Sequence, residues 1–365
     1  MRTADFDYDL PIELIAQTPV EPRDSSRLMV MDKDVRQIKE GRFFDIINFL
    51  QEGDLLVWNN SKVFKARLRG TLALDESTAD IAIPLNATDK ILNAGKVEIF
   101  LVRPMENPGV WKALAKPGRK LRLGIKIIFA EDFSAEVISK ENDGTFLLQF
   151  SEDDMEVRAK ANQYGEVPTP PYIKAEQMAN LDKRYQTVYA KHEGSVAAPT
   201  AGFHFTPELI EKLEKKGVQF AEVTLHVGLG TFLPVKVDVI EDHKMHSEWI
   251  ELSDKNAHLI NNAKAQGRRV IAVGTTTVRT LEGLALKFAK DELEPYHGDI
   301  NIFITPGFKF KIIDALITNF HLPQSTLLML VSAFVGDREF MLECYEKAVK
   351  EKYRFFSFGD AMLIK

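Results

Sequence analysis

The chain lacks most of the features that would put it outside a reducing, aqueous compartment. It has one cysteine, Cys344, which excludes an intrachain disulfide framework. Its longest apolar run, Leu327 to Val335, is too short to cross a bilayer. The N-terminal Met1-Arg-Thr-Ala-Asp-Phe-Asp-Tyr-Asp9 is acidic where a signal peptide would be apolar. No repeat and no low-complexity tract is present. Cofactor fingerprints are equally scarce. Leu225-His-Val-Gly-Leu-Gly-Thr231 lacks the third glycine of a dinucleotide turn, and no lysine follows Gly274-Thr-Thr-Thr277 as a phosphate loop requires. His243-Lys-Met-His246-Ser-Glu248 has neither zincin spacing nor a cysteine pair. These absences lead to the expectation of a soluble cytoplasmic protein with no metal and no membrane contact.

What is present is an ordinary globular composition on a long chain. At 365 residues the polypeptide exceeds one hydrophobic core, so two domains are expected. The net charge of −6 alone argues against nucleic acid, but residues 62 to 126 hold 13 basic and 6 acidic side chains, a local +7. A basic region on an acidic protein is the footprint of a polyanion contact, or else a solvated surface with chance clustering. The same region reads as short β-prone runs, at 96–103, 110–115, 120–129, 134–139 and 144–150, punctuated by Pro and Gly. That spacing suggests a small barrel or sandwich. The flanks read as mixed α/β. They include a helix from Pro207 capped by Thr206 and stopped by Gly217, strands at 269–273 and 301–305, and helices through Ala289 and from Ser325. The expected fold is therefore an α/β main domain, 1–62 with 152–365, carrying an inserted β-barrel at 63–151.

Two stretches are poor in both charge and bulk. Gly194–Thr206 contains a histidine and two threonines among small residues, and Val223–Val235 contains another histidine among glycines and threonines. Small residues hold no core together, but they let a backbone approach something closely. In the first, Thr200, His204 and Thr206 are candidates to face a ligand, with Gly202 permitting close approach. The alternative is that Thr206 only caps its helix and His204 packs between Phe203 and Phe205. In the second, His226, Gly228, Gly230 and Thr231 form either a site or a tight turn, and the two are compatible. Gly274, Thr275 and Thr276 open a helix, where free amides suit a carboxylate or phosphate, or simply an ordinary cap. His246 and Glu248 share a face if extended, as a proton-transfer pair or a buried structural one. Asn319 and His321 sit in a loop before a helix, where functional residues concentrate. The aromatic terminus from Tyr353 reads as core.

Taken in order, several exact strings resemble one family. They include Asp5-Phe-Asp-Tyr-Asp-Leu-Pro11, Glu21-Pro-Arg-Asp24, Gly194-Ser-Val-Ala-Ala-Pro-Thr-Ala-Gly202, Leu225-His-Val-Gly-Leu-Gly-Thr-Phe232, Met245-His-Ser-Glu248, Val273-Gly-Thr-Thr276, Thr318-Asn-Phe-His-Leu-Pro323 and Gly359-Asp-Ala-Met-Leu363. The family is the S-adenosylmethionine:tRNA ribosyltransferase-isomerase of queuosine biosynthesis. This chain departs from its pattern at Asn60-Ser61, usually Asp-Thr, and at Phe203, Leu233 and Phe358, often Leu, Arg and Tyr. The resemblance implies an α/β fold with an inserted barrel. It also implies transfer of the ribosyl part of S-adenosylmethionine to 7-aminomethyl-7-deazaguanine at the tRNA wobble position, releasing adenine and methionine. S-adenosylmethionine is then a consumed substrate, with no bound cofactor and no obligate protein partner. The proton transfers fall to His204, His226, His246 or His321, with Glu248 orienting one of them. The methionine carboxylate falls to Gly274–Thr276. The tRNA falls to Lys62, Lys65, Arg67, Arg119, Lys120 and Arg122. An S-adenosylmethionine-dependent RNA methyltransferase and a non-catalytic RNA-binding protein remain the alternatives.

Overall fold

The computed structural model describes residues 1–73, 95–170, 172–173, 180–228, 235, 237–245, 247–289 and 292–365. By its internal contacts the chain forms two compact units: Met1–Lys62 with Pro170–Glu193 and Ala198–Lys365, and Val63–Thr169 with Gly194–Ala197.

The larger unit is built on a nine-stranded mixed sheet. Its centre is a parallel block in the order Gln219–His226, Leu55–Asn59, Val270–Val273, Ala315–Asn319. Three of these strands are buried at every position, because a parallel strand covered on both faces reads as an apolar run with no alternation. Ala361–Ile364 runs antiparallel beside Ala315–Asn319, and Arg27–Asp32 with the polar edge strand Gln37–Arg42 completes that side. Glu248–Leu252 and Tyr296–Ile300 extend the opposite side antiparallel. One face carries the core of Leu56, Trp58, Phe43, Phe205, Ile271, Ile317 and Leu363. The helix Thr275–Phe288 lies on the other. Gly283 of that helix approaches Ile300, which pairs with Glu248, whereas the neighbouring Trp249 shares the first face with His226.

The expected strand at 301–305 is one element out of place. The ladder is Tyr296–Ile300, and beyond it Asn301 turns its amide to the Met245 carbonyl at 3.1 Å.

The smaller unit is a closed six-stranded barrel of Arg67–Leu72, Lys96–Pro104, Val110–Lys116, Lys126–Ala130, Phe133–Lys140 and Phe146–Phe150. Alternate residues point inward, among them Leu68, Ile99, Trp111, Val137 and Leu148, so the interior is filled by side chains. Gly70 is needed inside, since a Cβ there would lie 2.6 Å from Ile127 Cγ2. The strand expected at 120–129 is Lys126–Ala130, because Gly118–Lys120 forms a 3-10 turn and Gly124 takes φ +78. The helix Asp154–Tyr164, assigned to the main domain from sequence, clusters with the barrel instead. Lys160 pairs with Glu152 at 2.7 Å, Tyr164 bonds Asp132 at 2.7 Å, and the Lys65 amide bonds Asn162 at 3.1 Å.

Candidate active site

The carboxyl ends of the four parallel strands deliver Asn59–Ser61, Val227–Gly228, Gly274–Thr276 and Phe320–His321 to one edge of the sheet. Open α/β sheets bind ligands at this edge, where strand amides end and helix N-termini begin. Asn59 knits the edge together. Its side chain accepts from the Leu225 and Ser61 amides at 3.0 Å and donates to the Leu225 carbonyl at 2.9 Å.

His204 is held against this edge. Its Nε2 accepts from the Asn319 amide at 3.2 Å, and its Nδ1 meets Ser26 Oγ at 2.7 Å. The other proton of the Asn319 amide goes to the Phe356 carbonyl at 3.0 Å, and Thr200 donates to Asn319 Oδ1 at 3.4 Å. That network assigns the proton of the ring to Nδ1. Phe43 stacks on the ring with centroids 4.9 Å apart. Burial, helped by the cations of Arg23 and Arg354, lowers the imidazole to about 3, so His204 is neutral at physiological pH. Arg23, Ser26, His204, Ser357 and Phe358 line a small pocket beside it. Arg23 itself is spent on the carbonyls of Gln186 and Arg184, at 2.9 and 2.6 Å.

His226 ends its strand half-buried, stacked on Trp249 at 5.0 Å and 13°. Glu248 lies across the sheet with both carboxylate oxygens engaged. Its Oε2 takes the Arg279 guanidinium and its Oε1 the Gly228 amide at 3.4 Å. Gly274 adopts φ +88 at the start of the helix Thr275–Phe288 and offers no side-chain cap.

Other candidates lie elsewhere or are already engaged. His321 is not beside His204. Its ring bonds Thr318 at 2.9 Å, and Thr318 alternates with Asn319 on the strand, so the two imidazoles occupy opposite faces. Burial lowers His321 to about 3 as well. The Thr206 hydroxyl donates to Asp24 at 3.0 Å and caps its helix through the Leu209 amide at 3.2 Å. Gly202 makes room for Tyr189 rather than a ligand, since a Cβ there would lie 2.0 Å from the tyrosine hydroxyl. Thr275 is buried. Gly230, Thr231, Leu233 and His246 lie outside the described residues. Of the cations, Lys62 pairs with Glu193 at 3.7 Å and Arg67 with Glu166 at 3.3 Å. Lys65 and Lys120 are half-buried, while Arg119 and Arg122 are exposed.

Three departures from the family pattern have local physical accounts. Phe203 and Phe358 stack on each other at 5.6 Å, so two enlarged or dehydroxylated positions form one apolar contact. Asn60 donates to Glu222 at 3.1 Å and accepts from Thr224 at 2.7 Å. An aspartate there would set two carboxylates together.

Sequence reasoning missed Ser26 and Arg279. Ser26 follows a quoted string with nothing to single it out. Arg279 lies two residues beyond Gly274-Thr-Thr-Thr277, a stretch whose hydroxyls and amides point to a cap or an anion site without it.

Comparison with known proteins agrees with this architecture. A family described as queuosine biosynthesis protein matches residues 3–364. S-adenosylmethionine:tRNA ribosyltransferase-isomerases from Thermotoga petrophila and Thermotoga maritima are 52% and 51% identical, each over the whole of both chains. The crystal structure of the S-adenosylmethionine tRNA ribosyltransferase from Thermotoga maritima aligns with a TM-score of 0.54 at 41% identity, covering 99% of this chain and 100% of that one. The chain therefore belongs to the queuosine biosynthesis protein family.

Proposed function

We propose that this protein is an S-adenosylmethionine:tRNA ribosyltransferase-isomerase. It moves the ribosyl group of S-adenosylmethionine onto 7-aminomethyl-7-deazaguanine at the tRNA wobble position and releases adenine and methionine. Full-length likeness to enzymes of that name supports the reaction. The observation that carries the site is the convergence of Val227–Gly228, Gly274–Thr276 and the Asn319–His204 network on one sheet edge. No helix among the described residues is long and apolar enough to cross a membrane, in keeping with work on tRNA in the cytoplasm.

The chemistry constrains which imidazole acts. A sulfonium acidifies the adjacent 5′ carbon, so a base must remove a proton there. Adenine leaves more easily with a ring nitrogen protonated, and the attacking amine must be neutral. A base working near neutrality needs a pKa near neutrality. His204 and His321, both lowered to about 3, do not meet that requirement. His204 serves as a fixed, neutral hydrogen-bonding wall, and His321 as core. His246 lies outside the described residues, and the base assigned is His226, on the ground that it ends its strand at this sheet edge and Trp249 fixes its ring by stacking. The basic turn bearing Arg119 and Arg122 takes tRNA phosphates.

Adenine release under single turnover tests the assignment. His226→Ala, with folding verified, is expected to slow release about 100-fold or more, the usual share of one general base. His321→Gln is expected to keep the wild-type rate. Wild-type release by His226→Ala would remove His226 from the mechanism.

A further inference from the structure

At the start of the helix Thr275–Phe288, where the family resemblance puts the methionine carboxylate on Gly274–Thr276, the one buried cation is a side chain outside that string, Arg279, among the described residues of the helix. Helical side chains lean toward the N-terminus, so Arg279, in the second turn, reaches the sheet edge where Glu248 begins its strand. Its Nη1 donates to Glu248, and Arg279 is only 6% exposed. The remaining donors, Nε and Nη2, are buried and have no hydrogen-bond partner among the described residues. These two N–H groups leave the same side of the guanidinium in parallel, the fork that fits both oxygens of a carboxylate. Thr276 Oγ1 is buried and unpartnered in the same way, and it lies 3.7 Å from where a Cβ on Gly274 would stand. Gly228, whose amide shares Glu248 with Arg279, has open space where its side chain would be. An uncapped helix N-terminus adds positive potential there.

A buried charged group with an unused fork is costly unless something fills it. Glu248 already occupies the other side of the guanidinium, so the pair does not satisfy itself. We propose that the Nε/Nη2 edge of Arg279, with Thr276, receives the α-carboxylate of the methionyl part of S-adenosylmethionine, and that Glu248 holds the guanidinium in place to do so. This rests on the substrate reading above and adds the group that reads the amino-acid end of the substrate.

Calorimetric binding of two nucleosides separates the possibilities. One is S-adenosylmethionine, and the other is its decarboxylated form, which keeps adenine, ribose and sulfonium. Wild-type protein is expected to bind the decarboxylated form about 10- to 100-fold more weakly, the range for hydrogen bonds to a charged group. Arg279→Gln is expected to bring S-adenosylmethionine down to that level and leave the decarboxylated form unchanged. If the single variant fails to fold with Glu248 unpaired, Glu248→Gln with Arg279→Gln removes both buried charges and is expected to behave alike. The wild-type comparison needs no variant. Equal binding of the two nucleosides by wild type overturns the proposal while the substrate reading stands. Binding of neither overturns both. A third arm measures a tRNA anticodon stem-loop. Unchanged affinity in Arg279→Gln is expected, and a loss there with equal nucleoside binding assigns the fork to phosphate and overturns the carboxylate.

Discussion

His204 and His321 are held neutral by the same cause, removal of the ring from water, and each sits at about 3 against an ordinary 6.5. The sign of the pH effect follows. Below 6.5 the unfolded chain takes up a proton at each ring that the folded chain refuses until about 3. Stability is therefore complete above 6.5 and drains as pH falls, by about 1.4 kcal/mol per pH unit for each histidine. His321→Gln removes one of these sensitivities. Urea unfolding of wild type and variant is expected to show a stability gap that shrinks by about 1.4 kcal/mol over one pH unit below 6.5. Parallel curves would mean that His321 titrates normally in the folded state. The residue identities of the site were readable in the sequence, since His204, His226, Asn319 and Gly274 all stood in strings that singled them out. Their environments were not. Alternation puts Thr318 and Asn319 on opposite faces, and no string says which face His321 follows two residues later.

Elements, in turn, place these residues through close contacts that tolerate little. The 3-10 turn Thr200–His204 carries both Thr200 and His204, and the hydroxyl end of Tyr189 packs against Gly202 at its centre. Gly202→Ala would push a methyl group into the tyrosine hydroxyl and into Thr187 Cγ2, at 2.0 and 2.7 Å. Overpacking of this kind costs about 1–3 kcal/mol. Thermal unfolding is expected to register that loss, and Tyr189→Phe, which removes the nearest atom, is expected to recover part of it. No change in stability would show that the turn can shift freely. At this scale the sequence was informative where capping chemistry is local. Thr206 caps Pro207–Lys215, and Ser325 caps Thr326–Val335 through the Leu328 amide at 3.2 Å. It was uninformative where pairing is distant. The central strand Leu55–Asn59 has neighbours more than 150 residues away in sequence, and a run such as Asn301–Thr305 looks as β-prone as the strand before it.

For the whole molecule, composition and charge distribution were the legible quantities. A shift to short β-runs marked the barrel, and its basic turn survives folding with Arg119 and Arg122 exposed while Arg67 and Arg69 are taken up by Glu166. Replacing Arg119, Lys120 and Arg122 by Gln is expected to lower the slope of log affinity for tRNA against log salt by about two to three. An unchanged slope would place the phosphate contacts elsewhere.

One experiment bears on the central claim directly: the enzyme is given S-adenosylmethionine labelled separately in the ribose and in the methyl group, with tRNA carrying 7-aminomethyl-7-deazaguanine. The ribose label is expected to enter the tRNA, one equivalent for each adenine and methionine released, with the methyl label leaving in methionine. Methyl label in the tRNA, with S-adenosylhomocysteine as product, would contradict the account.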